Sequence, residues 1–366
     1  MHRLIRAMAV ATATIILAGL AATSATAGGR DHPERDDLVV IAHRGASGYR
    51  PEHTLAAYRL AIQQCADAIE PDLVTTSDGV LVDRHEPEIS GTTDVADHPE
   101  FASRKTTKVL DGNPVTGWFT EDFTLAELRT LRAIERLPDL RPDNTAYDGR
   151  YQVPTFAEVL KLATSSRTCS GKRVAVIPEI KHSTFFRQQG FDLEPQVVAM
   201  LNRFGLHSRR DPVVIQSFEI TNLQRLNRMT SVRLVQLVDC QGSPYDQVVA
   251  GNDVSYADMV TATGLRRVSR YADQVGLCKN LMIPRKADNT LGRPTSVIRD
   301  SHRAGLTVVG WTFRRENSFL PADFQHGTDP AGIGDLVGEI RVFLRAGMDA
   351  FFTDNPDLGV QAVRRR

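Results

Sequence analysis

Leu38-Val39-Val40-Ile41-Ala42-His43-Arg44-Gly45-Ala46-Ser47-Gly48 is the stretch on which the reading of this chain turns. An unbroken apolar run of this kind predicts a strand covered on both faces, as in a parallel sheet flanked by helices. The run stops on a His-Arg pair, and residues 53–66 then carry a helical pattern. Strand, polar strand end, helix: that unit recurs. Residues 68–75, 173–181, 212–218, 232–238, 307–313 and 350–353 read as further strands, with 79–85 an additional extended piece and 272–277 a weaker candidate. Helical patterns lie between them, at 194–204, 221–229, 294–304 and 333–346. Roughly eight such units over about 250 residues predict an α/β fold of the TIM (β/α)8 barrel type. An open, doubly wound sheet would call for a Gly-rich phosphate turn after the first strand, and His43-Arg44 occupies that place.

Working outward, residues 88–150 break the alternation. They are rich in Pro, Gly, Asp and Thr and hold a single helical piece at 125–131. This predicts a small inserted segment after the second strand, on which Trp118, Phe119 and Phe123 pack against the barrel. The first 27 residues have a basic start (His2, Arg3, Arg6), an apolar run and Ala25-Thr26-Ala27, the pattern of an export signal cut after Ala27. Residues 28–37 form a polar leader, and 38–366 the barrel domain. The expectation is a secreted or periplasmic protein with no stable membrane anchor, since no later apolar stretch is long enough to span a bilayer.

Basic and acidic residues balance at 44 each, so there is no basic field to attract nucleic acid. Four cysteines (Cys65, Cys169, Cys240 and Cys278) permit disulfides in an exported chain. Their pairing is open among three arrangements, and free thiols are the alternative. No Cys/His spacing points to zinc.

The chemistry gathers at strand ends. His43-Arg44 closes the first strand, Glu70-Pro71-Asp72 lies in the second, Glu179 and Lys181 close the third, and Gln216, Trp311 and Asp354 follow later apolar runs. In a barrel every strand C-terminus opens on one face, and that face carries the active site. Glu70 and Asp72, two apart on a strand, share a side. Paired carboxylates raise each other's pKa, and a hard divalent cation relieves that repulsion. With Glu179 as a third oxygen ligand, Ca²⁺ is the first expectation and Mg²⁺ the second. His43 and His85 are suited to proton transfer near neutral pH. Arg44 and Lys181 suit a phosphate diester.

At these residues the chain resembles the glycerophosphodiester phosphodiesterase family. The resemblance begins with His43-Arg44-Gly45-Ala46-Ser47-Gly48-Tyr49-Arg50-Pro51-Glu52-His53-Thr54. It continues through Glu70-x-Asp72, Asp78-Gly79 before His85, Pro178-Glu179-Ile180-Lys181, Gln216-Ser217-Phe218 and Thr353-Asp354-Asn355-Pro356-Asp357. The Pro-Glu-His-Thr variant and Thr93-Asp94-Val95-Ala96-Asp97 are similar to its exported bacterial branch. The resemblance implies a TIM barrel, a Ca²⁺ or Mg²⁺ ion, and release of glycerol 3-phosphate plus an alcohol. It implies His43 and His85 as general acid and base, Glu70, Asp72 and Glu179 as metal ligands, and Arg44 on phosphate. Glu52 would support the site, with Lys181, Gln216 and Trp311 on the substrate side. Two departures stand out: Glu86 follows His85 where the family usually has Asp, and Arg84 stands where an apolar strand residue is usual. The substrate expected is a small glycerophosphodiester or the end of a polyglycerol-phosphate polymer. The rival readings are a phospholipase D-like lyase acting on lysolipids or sphingomyelin, and a non-catalytic glycerophosphate-binding protein.

Overall fold

The computed structural model describes residues 39–364. The expected signal segment 1–27 and leader 28–37 lie outside the described residues, as do Arg365 and Arg366. Strands β1 (Val39–His43), β2 (Ala68–Glu70), β3 (Asp72–Thr75) and β4 (Leu81–Asp83) come first. A separate hairpin, β5 (Thr106–Leu110) and β6 (Asn113–Gly117), follows. Then come β7 (Ala175–Val176), β8 (Glu179–Ile180), β9 (Val214–Ser217), β10 (Arg233–Val238), β11 (Gln274–Cys278), β12 (Thr307–Phe313) and β13 (Ala350–Thr353). The main sheet has 11 strands in the order β4-β3-β8-β9-β10-β11-β12-β13-β1-β2-β7. Within it every pairing is parallel except β3 with β4.

The sheet curls in the manner of a TIM barrel. Only Pro71 separates β2 from β3, and only Ile177-Pro178 separates β7 from β8. A proline has no N–H to give to a ladder, so each run is interrupted there. The ladder nevertheless runs across the gap: the amides of Ile177, Glu179 and Lys181 donate to the carbonyls of Ile69, Pro71 and Leu73 at 3.0, 2.9 and 3.2 Å. Successive strand residues point to opposite faces, and this divides the core in two. Ile41, Ala68, Ile177, Val214, Val235 and Phe352 pack together inside the curl. Val40, Ala42, Ile69, Ile215 and Leu234 face the surrounding helices.

Two expectations change in detail. The extended piece at 79–85 becomes β4, which folds back antiparallel on β3 rather than joining the parallel set. Segment 88–150 holds the hairpin β5–β6, whose residues carry no alternating apolar pattern, besides the short helix Leu125–Leu128. Trp118, Phe119 and Phe123 are buried, as the packing reading required. The cysteines form Cys65–Cys169 and Cys240–Cys278. Among the described residues no helix is long and apolar enough to cross a membrane.

Candidate active site

Strand register brings the polar strand ends to one level. His43 on β1 is opposite Glu70 on β2, Asp72 on β3 is opposite Glu179 on β8, and Glu179 is opposite Gln216 on β9. All five line one cavity of about 360 Å³, together with Arg44, His85, Lys181 and Trp311. The loop after β1 must turn sharply to expose His43 and still pack. Gly45 has φ +85°, and a Cβ there would lie 2.7 Å from the Ala57 backbone. A Cβ on Gly48 would lie 2.3 Å from Asn355 Nδ2. Thr54 ends the loop by accepting a hydrogen bond from Ala57 N, capping the helix Leu55–Gln63, a contact worth about 1 kcal/mol.

Glu70, Asp72 and Glu179 are each buried and offer oxygens that lie within 4.8 Å of one another. Each is held in place by the protein. Glu70 accepts from Arg44 N (2.8 Å) and Gln216 Nε2 (3.1 Å). Asp72 Oδ2 meets His53 Nε2 at 2.9 Å, and Glu179 Oε1 meets Lys181 Nζ at 3.0 Å. Asp72 Oδ1, although buried, has no hydrogen-bond partner. Burial, reinforced by Asp72 and Glu179, raises the Glu70 carboxyl well above the ordinary range. Burial, partly offset by Lys181, pushes Glu179 up to about 7. Burial would also raise Asp72, but Lys181 and His53 hold it well below its ordinary value. An orphaned carboxylate oxygen within an all-oxygen donor set, under unrelieved repulsion, fits a hard divalent cation.

The two histidines face this cluster with the same nitrogen tied back. His43 Nδ1 lies 2.6 Å from Asp354 Oδ1, and His85 Nδ1 lies 2.9 Å from Glu86 Oε1. Each carboxylate favours a proton on Nδ1, which leaves Nε2 as the working nitrogen. Burial and the nearby Arg44 pull His43 down to about 4, against the pull of Asp354. Burial, with Arg44 and Lys181, pulls His85 down to about 3. Lys181 Nζ is 3.4 Å from His85 Nε2.

Arg44 reaches the cavity with its guanidinium braced by both oxygens of Glu52 at 3.0 Å. Glu52 stands behind Arg44 and also binds Arg136 at 2.9 Å. Its acidic side chain therefore positions an arginine and does not line the cavity. Trp311 donates its indole N–H to Gly276 O at 3.0 Å and packs edge-on to Phe218. Several contributors escaped the sequence reading. His53 orients Asp72. Arg141, from segment 88–150, and Arg314 clamp Asp354 at 2.6 and 2.7 Å. Arg84, fully buried, donates to the carbonyls of Glu52, His53, Asp83 and Thr92. That strut ties the β1 loop to segment 88–150 directly beside His85, and its unusual residue type was the available signal.

The profile of the glycerophosphoryl diester phosphodiesterase family matches residues 43–358. A glycerophosphodiester phosphodiesterase of Arabidopsis thaliana is 34% identical over 329 residues, covering 86% of this chain and 82% of the relative. One from Haemophilus influenzae is 28% identical, covering 90% and 91%. Among solved structures, a phosphodiesterase from Oleispira antarctica in complex with the product sn-glycerol-3-phosphate superposes with a TM-score of 0.57 at 19% identity, over 89% of this chain and 96% of that one. A Silicibacter pomeroyi structure gives 0.61 at 20%, over 89% and 92%. The fold is thus shared widely at low identity, while the family match extends over nearly all of the described chain. This chain belongs to the glycerophosphoryl diester phosphodiesterase family.

Proposed function

We propose that the protein hydrolyses glycerophosphodiesters to glycerol 3-phosphate and an alcohol, with the cavity at the strand ends as its reaction centre. The observation that carries this is the meeting of two Nδ1-anchored histidines with three buried carboxylates and Arg44 in one small cavity, in a member of this family. Glu70, Asp72 and Glu179 would hold a divalent cation, calcium first and magnesium second, which when bound supplies Lewis-acid stabilisation of phosphoryl charge. Arg44, rigid against Glu52, orients a phosphoryl oxygen and offsets its growing charge.

His43 and His85 divide the proton work through Nε2. One takes the proton from the glycerol 2-hydroxyl as that oxygen bonds to phosphorus. The other, doubly protonated beside the bound phosphate anion, gives its Nε2 proton to the departing alcohol oxygen as its P–O bond breaks. A cyclic 1,2-phosphate results, and water opens it with the two roles exchanged, returning both histidines to their starting states. Lys181, Gln216 and Trp311 form the substrate-side wall.

Three further readings accompany this one. Counting β2 with β3 and β7 with β8 as single strands, and setting β4 aside, makes the curled sheet an eight-stranded closed barrel. Segment 88–150 is then an insertion after the second strand. Residues 1–27 form an export signal, a reading supported by two disulfides in the mature part. Phosphorus NMR of glycerophosphocholine turnover tests the chemistry. The expected result is glycerol 3-phosphate, with no turnover of the analogue lacking the 2-hydroxyl. Equal cleavage of that analogue would refute the cyclic route.

A further inference from the structure

We infer that His182 and Asp111, two residues outside the catalytic cavity's proton chemistry, are positioning residues that fix His85 through Glu86. The inference rests on reading His85 as one of the two proton-transfer groups. Glu86 presents one oxygen to each histidine: Oε1 to His85 Nδ1 at 2.9 Å, and Oε2 to His182 Nε2 at 2.7 Å. The other ring nitrogen of His182, Nδ1, lies 2.8 Å from Asp111 Oδ2. With both ring nitrogens facing carboxylates, His182 is doubly protonated, and it carries a fixed positive charge between two acids. This agrees with its pKa being pushed up to about 10, where hydrogen bonds to Asp111 and Glu86 overcome burial.

The arrangement is built at some conformational cost. His182 takes the left-handed conformation, φ 44°, which a non-glycine residue rarely adopts without compensation. Asp111 and Gly112 are the two turn residues of β5–β6, between the paired Leu110 and Asn113, with φ 47° and 82°. That is the two-residue hairpin geometry favoured by Asp-Gly. The hairpin thus carries one carboxylate on its tip to the edge of the mouth. Glu86 needs such a brace because its side chain is 38% exposed, and an exposed glutamate is otherwise free among rotamers. A wandering Glu86 would leave the His85 ring free to turn and to exchange tautomers. Pinned at both oxygens, it holds the proton on Nδ1 and keeps Nε2 directed for transfer.

The test uses the mature protein and glycerophosphocholine with the restored divalent ion. His182→Gln and Asp111→Asn are each expected to lower kcat about 10- to 100-fold with KM little changed, the range for loss of an orienting partner. In a His85→Ala background neither should lower kcat further, because each acts through His85. Asp111→Glu should recover part of the Asp111→Asn loss. A readout free of turnover is the ring ¹⁵N spectrum of His85. Wild-type protein should show the Nδ1-protonated tautomer, and His182→Gln a mixture. Should His182→Gln fail to fold, Asp111→Asn at the hairpin tip carries the test. Wild-type kcat in both variants, losses that multiply with that of His85→Ala, or an unchanged ¹⁵N spectrum would overturn the inference. Absence of turnover by wild-type protein would instead overturn the proposed function, and the tautomer measurement would still decide the role of His182.

Discussion

The two sides of the mouth hold their histidines by the same hydrogen bond and in opposite settings. His43 ends strand β1 of the main sheet, and its partner Asp354 is 2% exposed and clamped by Arg141 and Arg314. His85 follows the antiparallel hairpin strand β4, and its partner Glu86 is 38% exposed and braced by a histidine and a hairpin tip. One orienting carboxylate belongs to the core and the other to the surface. On the proposed mechanism the same tautomer is fixed on one side by burial among arginines and on the other by a relay added at the rim. The two solutions should fail in different ways.

The largest expected effect is common to both sides. His43→Ala and His85→Ala should each reduce kcat by about 10²- to 10⁴-fold, the usual share of a positioned acid or base. A variant with near-normal kcat would remove that side from the mechanism. The partners then separate the two settings. Asp354→Ala strips the buried Arg314 of its anion and leaves Arg141 with Glu316 alone, a change expected to cost about 3–5 kcal/mol of stability. Glu86→Ala removes a half-exposed group and should cost less than about 1 kcal/mol. Urea unfolding of the two variants measures this directly, and equal losses would contradict the contrast between a buried and a rim-side partner.

A smaller effect concerns pH and stability. His43 and His85 are held near 4 and 3, below the ordinary 6.5. The unfolded chain therefore takes up protons first as pH falls, and stability should decline from about pH 6.5 towards 4. His182 has the opposite sign. Its pKa is raised to about 10, so its contribution is complete below pH 6.5 and is lost as pH rises towards 10. Melting temperature against pH should fall at both ends, and His182→Gln should flatten the alkaline limb alone. An unchanged alkaline limb in that variant would contradict the ionic brace.

The parts legible in the sequence were those with local signatures. Continuous apolar runs marked β1, β9, β10, β12 and β13, and polar residues closing those runs marked the mouth. His43, Glu70, Asp72, Glu179 and Gln216 were found because strand register levels strand ends. Strand β11 was faint because Gly276 interrupts its apolar pattern; a Cβ there would lie 2.5 Å from Leu237. The hairpin β5–β6 was missed because four of the five residues in each strand are exposed or half-exposed, leaving no alternation to read. The one local signal for it was the Asp111-Gly112 turn pair. The clamp on Asp354 was beyond reach: Arg141 lies 213 residues distant in sequence, and no pattern in a single chain reports a contact of that separation. Glu52 was recognised by motif, but its place behind Arg44 depends on side-chain geometry.

The most direct test of the central claim is glycerol 3-phosphate release from glycerophosphocholine by the mature protein. It should be measured after chelation, then with Ca²⁺ or Mg²⁺ restored, with His43→Ala alongside. The predicted result is activity that disappears on chelation, returns with the ion and stays absent in His43→Ala. Turnover that survives exhaustive chelation, or that His43→Ala retains in full, would contradict the account.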